Sequence, residues 1–137
     1  MQGSLSCQTS VSRRHACAGT GEYVPQLLNF YFKYLMSIDG NTFVSRLPLF
    51  LSSGSVPFRA GIYSEWYDEW LEENKHYLQI QLDYSDLDAK LQWAMENDDE
   101  MRVIGQQGRI FAKQRLRNQD MECYMYRLLL EYAAMVY

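Results

Sequence analysis

The sequence predicts an α/β fold in which a short parallel sheet is followed by long helices. Three short apolar segments are separated by stretches of about the length that parallel strands need for a crossover connection. Towards the carboxyl end, apolar residues instead recur at spacings of three and four, which is the period of a helix. At 137 residues the chain corresponds to one ordinary domain that is large enough to bury a core.

The first predicted strand covers residues 33–38 and ends at the turn signal Asp39-Gly40-Asn41. An apolar segment over 43–51 predicts a helix, in which Pro48 is tolerated if it falls in the first turn. The second strand is "SVPFR", directly after Gly54. The segment "SEWYDEWLEE" predicts a helix with aromatic residues inward and acids outward, and "KHYLQIQLD" predicts the third strand.

Three helices complete the predicted fold. Asp86 is the expected N-cap of the first, whose inner face is formed by Leu87, Leu91, Ala94 and Met95. The others cover about 99–116 and 119–137, and the last repeats Met121, Tyr124, Met125, Leu128, Leu129, Tyr132 and Val136 on a helical period. Residues 1–22 are rich in small polar residues without such a period, so we interpret them as a flexible leader or an artefact of where the chain was started, and expect order in 23–137.

Composition argues against several classes of function. The net charge of -4 disfavours a surface that neutralises nucleic-acid phosphates. The sequence has no run of about twenty apolar residues that would span a membrane. The three cysteines and two histidines lack metal-site spacing, so we expect no metal site. A dinucleotide-dependent oxidoreductase is the weakest interpretation, because the G-x-G-x-x-G fingerprint is missing.

Arg46 and Glu65 each have two interpretations on spacing alone. Ligands of parallel α/β sheets bind at the carboxyl ends of strands, and the Asp39-Gly40-Asn41 turn lies at such an end, before a helix whose N–H groups suit an anion. Arg46 is therefore either a solvated charge or a guanidinium clamp on phosphate oxygens. Glu65 is either an acid favoured at a helix amino terminus or an acceptor for sugar hydroxyls.

A family resemblance extends over about residues 32–137. It is carried by "KYLMSIDGNTFVSRLPLFLSSGSVPFRAGIYSEWYDEWLEENKHYLQIQLDYSDL" and by "QDMECYMYRLLLEYA". These motifs include the Asp-Gly-Asn turn with its following arginine, the Ser-Gly-Ser turn, the Glu-Trp pair, His-Tyr and the Asp-Tyr-Ser-Asp-Leu turn. In this order they closely resemble the CAP-type glycosyltransferases of family ninety, which include capsule-associated and protein O-glucosyltransferases.

The resemblance implies the carboxyl-terminal, donor-binding half of a metal-independent enzyme with two Rossmann domains. This half would be a partial Rossmann-like, three-layer domain. Its donor would be a nucleotide sugar such as UDP-glucose or UDP-xylose, and its acceptor a hydroxyl on a protein or glycan. The resemblance places Arg46 at the donor diphosphate and assigns the donor pocket to Gly40, Asn41, Ser45, Arg46, Ser55, Glu65 and Trp66.

The same resemblance assigns no catalytic residue to this chain. In the family the acceptor-binding half and the catalytic carboxylate lie upstream, so we expect the chain alone to bind donor weakly and not to transfer sugar. Family members work in the secretory pathway, which implies the lumen of the endoplasmic reticulum or Golgi, although the sequence itself shows no targeting signal. The alternative is a non-enzymatic interaction module that uses the aromatic and acidic surface of "SEWYDEWLEE".

Overall fold

The computed structural model describes residues 25–136, so the predicted leader over 1–22 and the last residue of the predicted final helix lie outside the described residues. Three parallel strands form one sheet in the order β1-β2-β3: β1 is Tyr34–Ile38, β2 is Val56–Ala60 and β3 is Leu78–Gln79. β1 pairs with β2 along its whole length, from Tyr34 opposite Val56 to Ile38 opposite Ala60. The prediction of an α/β fold with a short parallel sheet is confirmed.

Within residues 25–136, four α-helices accompany the sheet: α1 is Leu47–Ser53, α2 is Leu87–Glu96, α3 is Asp98–Arg115 and α4 is Asn118–Val136. Short 3-10 helices cover Gln26–Tyr31 and Asp68–Trp70. The bounds of the long helices α3 and α4 lie within one or two residues of the predicted ones, and an α/β domain that ends in long helices is consistent with the predicted partial Rossmann-like domain. None of the helices within residues 25–136 combines the length and the apolar character that a membrane crossing requires.

The first helix begins later than predicted. Residues 43–46 form a loop and turn, and α1 begins at Leu47 with Pro48 in its first turn. Proline is tolerated there because the N–H that it lacks would have no partner inside the helix. Gly54 ends the helix in the left-handed conformation, at φ 83°, where a residue without a Cβ is favoured.

Two predicted elements between β2 and α2 differ from the structure: the predicted helix is wrong, and the predicted third strand is too long. The segment "SEWYDEWLEE" forms only the three-residue 3-10 helix, because the Asp68 carboxylate accepts the N–H of Glu65 and the guanidinium of Arg59, which closes the chain into a turn. The third strand is reduced to Leu78–Gln79, preceded by Asn74 in the left-handed conformation at φ 60°.

Asp86 is the N-cap residue of α2, as predicted, but it does not cap the helix with its side chain. It occupies the position before the helix, but its side chain makes no capping bond and instead accepts the N–H of Gln81 at 2.8 Å. On the inner face of α2, Ala94 is buried and Leu87 and Leu91 pack against the core, as predicted. Met95 lies outside this contact and is 61% exposed.

The core consists of two clusters that share helix α3. The first joins β2 and β3 to α2 and α3: Val56, Phe58, Ala60, Leu78, Ile80, Ala94, Met101 and Ile104. The second joins α1 and Tyr67, in the segment after β2, to α3: Leu47, Leu51, Tyr67, Phe111 and Ala112. Helix α3 approaches α1 so closely that a Cβ on Gly105 would lie 2.2 Å from the carbonyl oxygen of Gly54. This packing leaves the loops that follow β1 and β2 together at one edge of the sheet.

Candidate functional site

Asp39 joins the loops that follow β1 and β2. Its Oδ2 accepts the backbone N–H groups of Ile62 at 2.8 Å and Tyr63 at 3.1 Å. A Cβ on Gly61 would lie 2.5 Å from the same oxygen, so a side chain there would displace the Asp39 carboxylate. Asp39 is not among the site residues predicted from the sequence. Its position directly after a predicted strand could have indicated its role, since the carboxyl ends of parallel strands meet at one edge of the sheet.

A cavity of about 240 Å³ lies at the carboxyl end of β1. It is lined by four of the predicted site residues, Gly40, Asn41, Ser45 and Arg46. Arg46 is exposed, and within residues 25–136 its guanidinium takes part in none of the ion pairs. The cavity therefore presents a guanidinium, an amide and a hydroxyl, which together favour an anionic ligand.

Glu65 lies in the loop after β2, and its backbone is held by Asp68, which forms an ion pair with Arg59. Arg59 donates two hydrogen bonds to Asp68, at 2.9 and 2.6 Å, and both side chains are only 13% exposed. Asp68 Oδ2 also accepts the N–H of Glu65 at 2.9 Å, which fixes the backbone at that residue. Partial burial, followed by the negative charge of Asp68, raises the pKa of the Glu65 carboxyl, and Arg59 opposes this rise.

Trp66 connects the same loop to two helices. Trp66 packs against the cluster that contains Leu47 and Leu51 of α1. Leu47 directly follows Arg46 in the chain. Its ring also stacks on Tyr124 of α4, with the ring centroids 5.1 Å apart and the planes at 24°. Both contacts are made within the chain, so the Trp66 indole supports the loop from behind and does not offer a free ring face for a ligand.

The structure does not bring Ser55 to the other predicted site residues. Ser55 precedes β2, at the amino edge of the sheet, and its hydroxyl donates a hydrogen bond to the carbonyl of Phe32 at 2.7 Å. The other six residues lie in the loops at the carboxyl edge. The contact of Ser55 fastens the start of β2 to the segment before β1.

A larger cavity, of about 490 Å³, lies near the amino end of β3. His76 is buried at its wall, where Nδ1 accepts the N–H of Glu72 at 3.0 Å and the ring lies 4.9 Å from that of Phe111. Since Nδ1 accepts, the proton of the neutral imidazole is on Nε2. Within residues 25–136 no group of three or more acidic, cysteine or histidine side chains could hold a metal ion.

We expect His76 to make the fold less stable as the pH falls below neutrality. Burial, followed by the charge of Lys75, lowers the pKa of His76, while Glu72 opposes the change. The unfolded chain therefore takes up a proton near the ordinary pKa of about 6.5, and the folded chain does so only at lower pH. Stability is fully present above pH 6.5 and decreases as the pH falls towards the folded pKa, by no more than about 1.4 kcal/mol per pH unit.

Urea unfolding between pH 7.5 and 5.5 measures this effect, with His76→Gln as the control. The glutamine carbonyl can accept the Glu72 N–H but does not titrate. The variant is expected to show a flatter dependence of stability on pH than the natural chain. Equal slopes for the two proteins would contradict a neutral, buried His76.

Comparison with known proteins gives a family match over most of the chain. The family model described as glycosyl transferase family 90 matches residues 12–137. Protein O-glucosyltransferase 2 of Danio rerio is 36% identical over 105 residues, which are 76% of this chain and 21% of the relative. Protein O-glucosyltransferase 3 of Homo sapiens gives the same identity and the same coverage.

A more distant relative belongs to the same group. Protein O-glucosyltransferase 1 of Homo sapiens is 32% identical over 109 residues, which are 74% of this chain and 26% of the relative. The chain thus spans between about a fifth and a quarter of the length of these curated relatives. The matched segment is the carboxyl-terminal part of the relatives.

Proposed function

Because the chain belongs to glycosyl transferase family 90, we propose that it forms the donor-binding part of a glycosyltransferase. The observation that carries the proposal is the cavity at the carboxyl end of β1, which Gly40, Asn41, Ser45 and Arg46 line. This is the edge at which open parallel α/β sheets bind ligands. The ligand is a nucleotide sugar, and its diphosphate lies against Arg46.

Arg46 supplies most of the positive charge for the diphosphate. Its planar, positively charged guanidinium can donate two parallel hydrogen bonds to phosphate oxygens. Helix α1 adds little, because it has only seven residues and Pro48 removes one N–H from its first turn. The N–H of Gly40 already bonds the carbonyl of Thr42 at 3.1 Å. Asn41 and Ser45 therefore provide the neutral donors.

The sugar lies next to the loop after β2 in this proposal. Glu65 accepts hydrogen bonds from its hydroxyls, and Trp66 supports that loop from behind. The names of the relatives favour glucose as the sugar and a protein as the acceptor; UDP as the nucleotide, xylose as another sugar and a glycan as another acceptor come from the resemblance alone. Ser55 stays a predicted donor residue that lies apart from this group. The luminal location likewise stays a prediction.

Transfer breaks the bond between the anomeric carbon and the diphosphate oxygen and forms a bond from that carbon to the acceptor oxygen. The leaving diphosphate needs positive charge, and the acceptor hydroxyl must give its proton to a base. We assign the first role to Arg46, which makes a metal unnecessary, and assign the base to no residue of this chain. We therefore propose that these 137 residues alone bind the donor without transferring its sugar.

Titration calorimetry with UDP and UDP-glucose tests donor binding. Arg46→Ala is expected to weaken binding by roughly tenfold or more, because a hydrogen bond to a charged group contributes about 1.5–3 kcal/mol. The thermal midpoint should not change, since Arg46 is exposed and unpaired within residues 25–136. Arg46→Lys should bind with intermediate affinity, because lysine keeps the charge and loses the fork.

The matched control is Arg102→Ala, which removes another exposed arginine, one that pairs with Asp98 on α3. It should leave UDP binding unchanged. Binding that survives Arg46→Ala would contradict the assigned site, and no binding by the natural chain would favour the interaction module. Two of the three aromatic side chains of "SEWYDEWLEE", Trp66 and Tyr67, are packed within the chain, which reduces the surface available to an interaction module.

A further inference from the structure

The cavity of about 490 Å³ near the amino end of β3 is separate from the one proposed to hold the nucleotide sugar. The two cavities share no lining residue, and β1 and β3 are the two edge strands of the sheet. Its size is that of a small-molecule site, since such sites enclose about 300–1,000 Å³. Its ligand therefore depends on a different set of side chains.

His76 brings an uncommitted hydrogen-bond donor to this cavity. The residue is only 5% exposed, and its ring is fixed by the Glu72 N–H on Nδ1 and by the ring of Phe111. Its Nε2–H makes no hydrogen bond within residues 25–136, where the unpartnered side-chain atoms that are sealed from solvent are Ser37 Oγ and Tyr67 Oη. Because Nε2 is not one of these sealed atoms, its N–H opens into the cavity that the ring lines.

Helix α3 adds two carboxamides to the lining. Gln107 and Gln114 lie two turns apart on one face of the helix, and both line the cavity. In the part of the chain that the structure describes, the glutamine side chains that form hydrogen bonds are those of Gln79 and Gln92. Both carboxamides of the cavity are therefore available to a ligand, and each offers two N–H donors and a carbonyl acceptor.

The charged side chains of the cavity balance one another. Glu72 pairs with Lys75. Glu69 is balanced by Arg115, which lies over the Trp70 ring with its Cζ 5.7 Å from the ring centre. An anionic ligand would need a surplus of cations, and a cationic ligand a surplus of acids. The lining therefore favours a neutral ligand.

We propose that this cavity binds a neutral polyhydroxylated ring, the pyranose unit of a carbohydrate. A sugar hydroxyl both donates and accepts hydrogen bonds, and the ring N–H of His76 and the two carboxamides supply both kinds of partner. Trp70 and Ile110, which are 42% and 38% exposed, supply apolar surface for the C–H face of such a ring. The inference does not depend on the cavity at β1, because none of these side chains lines it.

NMR titration of the 137-residue chain with the methyl glycosides of glucose, galactose, mannose and xylose tests the proposal. The ring C–H signals of His76 and the carboxamide signals of Gln107 and Gln114 should shift saturably at millimolar concentrations of at least one glycoside. The spectrum of His76→Gln assigns the His76 signals. Saturating UDP and the substitution Arg46→Ala should both leave the shifts unchanged, so failure of donor binding and failure of this proposal give different results.

Gln107→Ala and Gln106→Ala form a matched pair on α3. Gln107 lines the cavity, whereas Gln106 is exposed outside it. Gln107→Ala should weaken glycoside binding by roughly three- to tenfold, which is the effect of one neutral hydrogen bond. Gln106→Ala should leave binding unchanged. Both variants should keep the thermal midpoint of the natural chain or raise it slightly, because alanine suits a helix.

Three results would overturn the proposal. The first is the absence of saturable shifts with all four glycosides. The second is glycoside binding that the combination of Gln107→Ala and Gln114→Ala does not weaken. The third is a shift of these signals by succinate, a dianion, without any shift by the glycosides, which would make the cavity an anion site.

Discussion

Replacing Gly105 with alanine is expected to lower the free energy of unfolding by about 2–3 kcal/mol. Gly105 lies inside helix α3, where alanine would ordinarily stabilise the helix by about 1 kcal/mol. Here, however, its Cβ would lie 2.2 Å from the carbonyl oxygen of Gly54, which is backbone and cannot rotate away. Relief requires α3 to move from α1, and this loosens the packing of both core clusters.

Thermal and urea unfolding measure the effect of Gly105→Ala, which should lower the melting temperature by roughly 10 °C. Gly108→Ala provides a graded comparison. The Cβ of this alanine would lie 3.1 Å from the nearest atoms, so the substitution should lower the free energy of unfolding by less than Gly105→Ala does. Gln106→Ala, at an exposed position of the same helix, controls for helix propensity. A Gly105→Ala protein that is as stable as the natural chain would show that α1 and α3 do not approach each other this closely.

The helices α2, α3 and α4 were predictable because their signal is local. An apolar period of three to four residues depends on neighbours along the chain, and the predicted bounds of α3 and α4 lie within two residues of the observed ones. The parallel sheet was predictable for a related reason, since the spacing of the strands leaves room for crossovers. The exposure of α4 did not follow from its period, because a periodic helix is buried only where another surface covers it.

The structure departs from the predictions at polar groups whose partners lie outside the helical period. Asp68 bonds Arg59 on the preceding strand, which turns a predicted helix into a short 3-10 turn. Asp86 bonds the N–H of Gln81 in the preceding loop rather than the first turn of α2. A sequence pattern indicates that an aspartate suits a turn, but it does not choose among the N–H groups and cations that the fold brings within reach.

The candidate site was predictable to the extent that strand ends determine it. Gly40, Asn41, Ser45 and Arg46 follow one strand closely, so they meet in one cavity. Ser55 precedes a strand, and in a parallel sheet this places it at the opposite edge. Asp39 was missed as a connector because its partners, the N–H groups of Ile62 and Tyr63, are more than twenty residues away in the chain.

Replacing Asp68 with alanine is expected to cost about 3 kcal/mol of folding stability, as for other ion pairs that lose one partner away from water. The substitution leaves the Arg59 guanidinium with little solvent and with one weak bond, to the Tyr63 carbonyl at 3.4 Å. It also removes the acceptor for the Glu65 N–H. Asp68→Asn keeps an acceptor without the charge, so it should cost less than alanine.

A double-mutant cycle separates the ion pair from the other contacts of Asp68. In Arg59→Met with Asp68→Ala, no unpaired guanidinium remains, so the double variant should be more stable than the sum of the two single losses predicts. Urea unfolding of the four proteins gives the coupling free energy, expected to be about 1–3 kcal/mol. Strictly additive losses would mean that the pair contributes nothing, and that Glu65 is positioned by the turn alone.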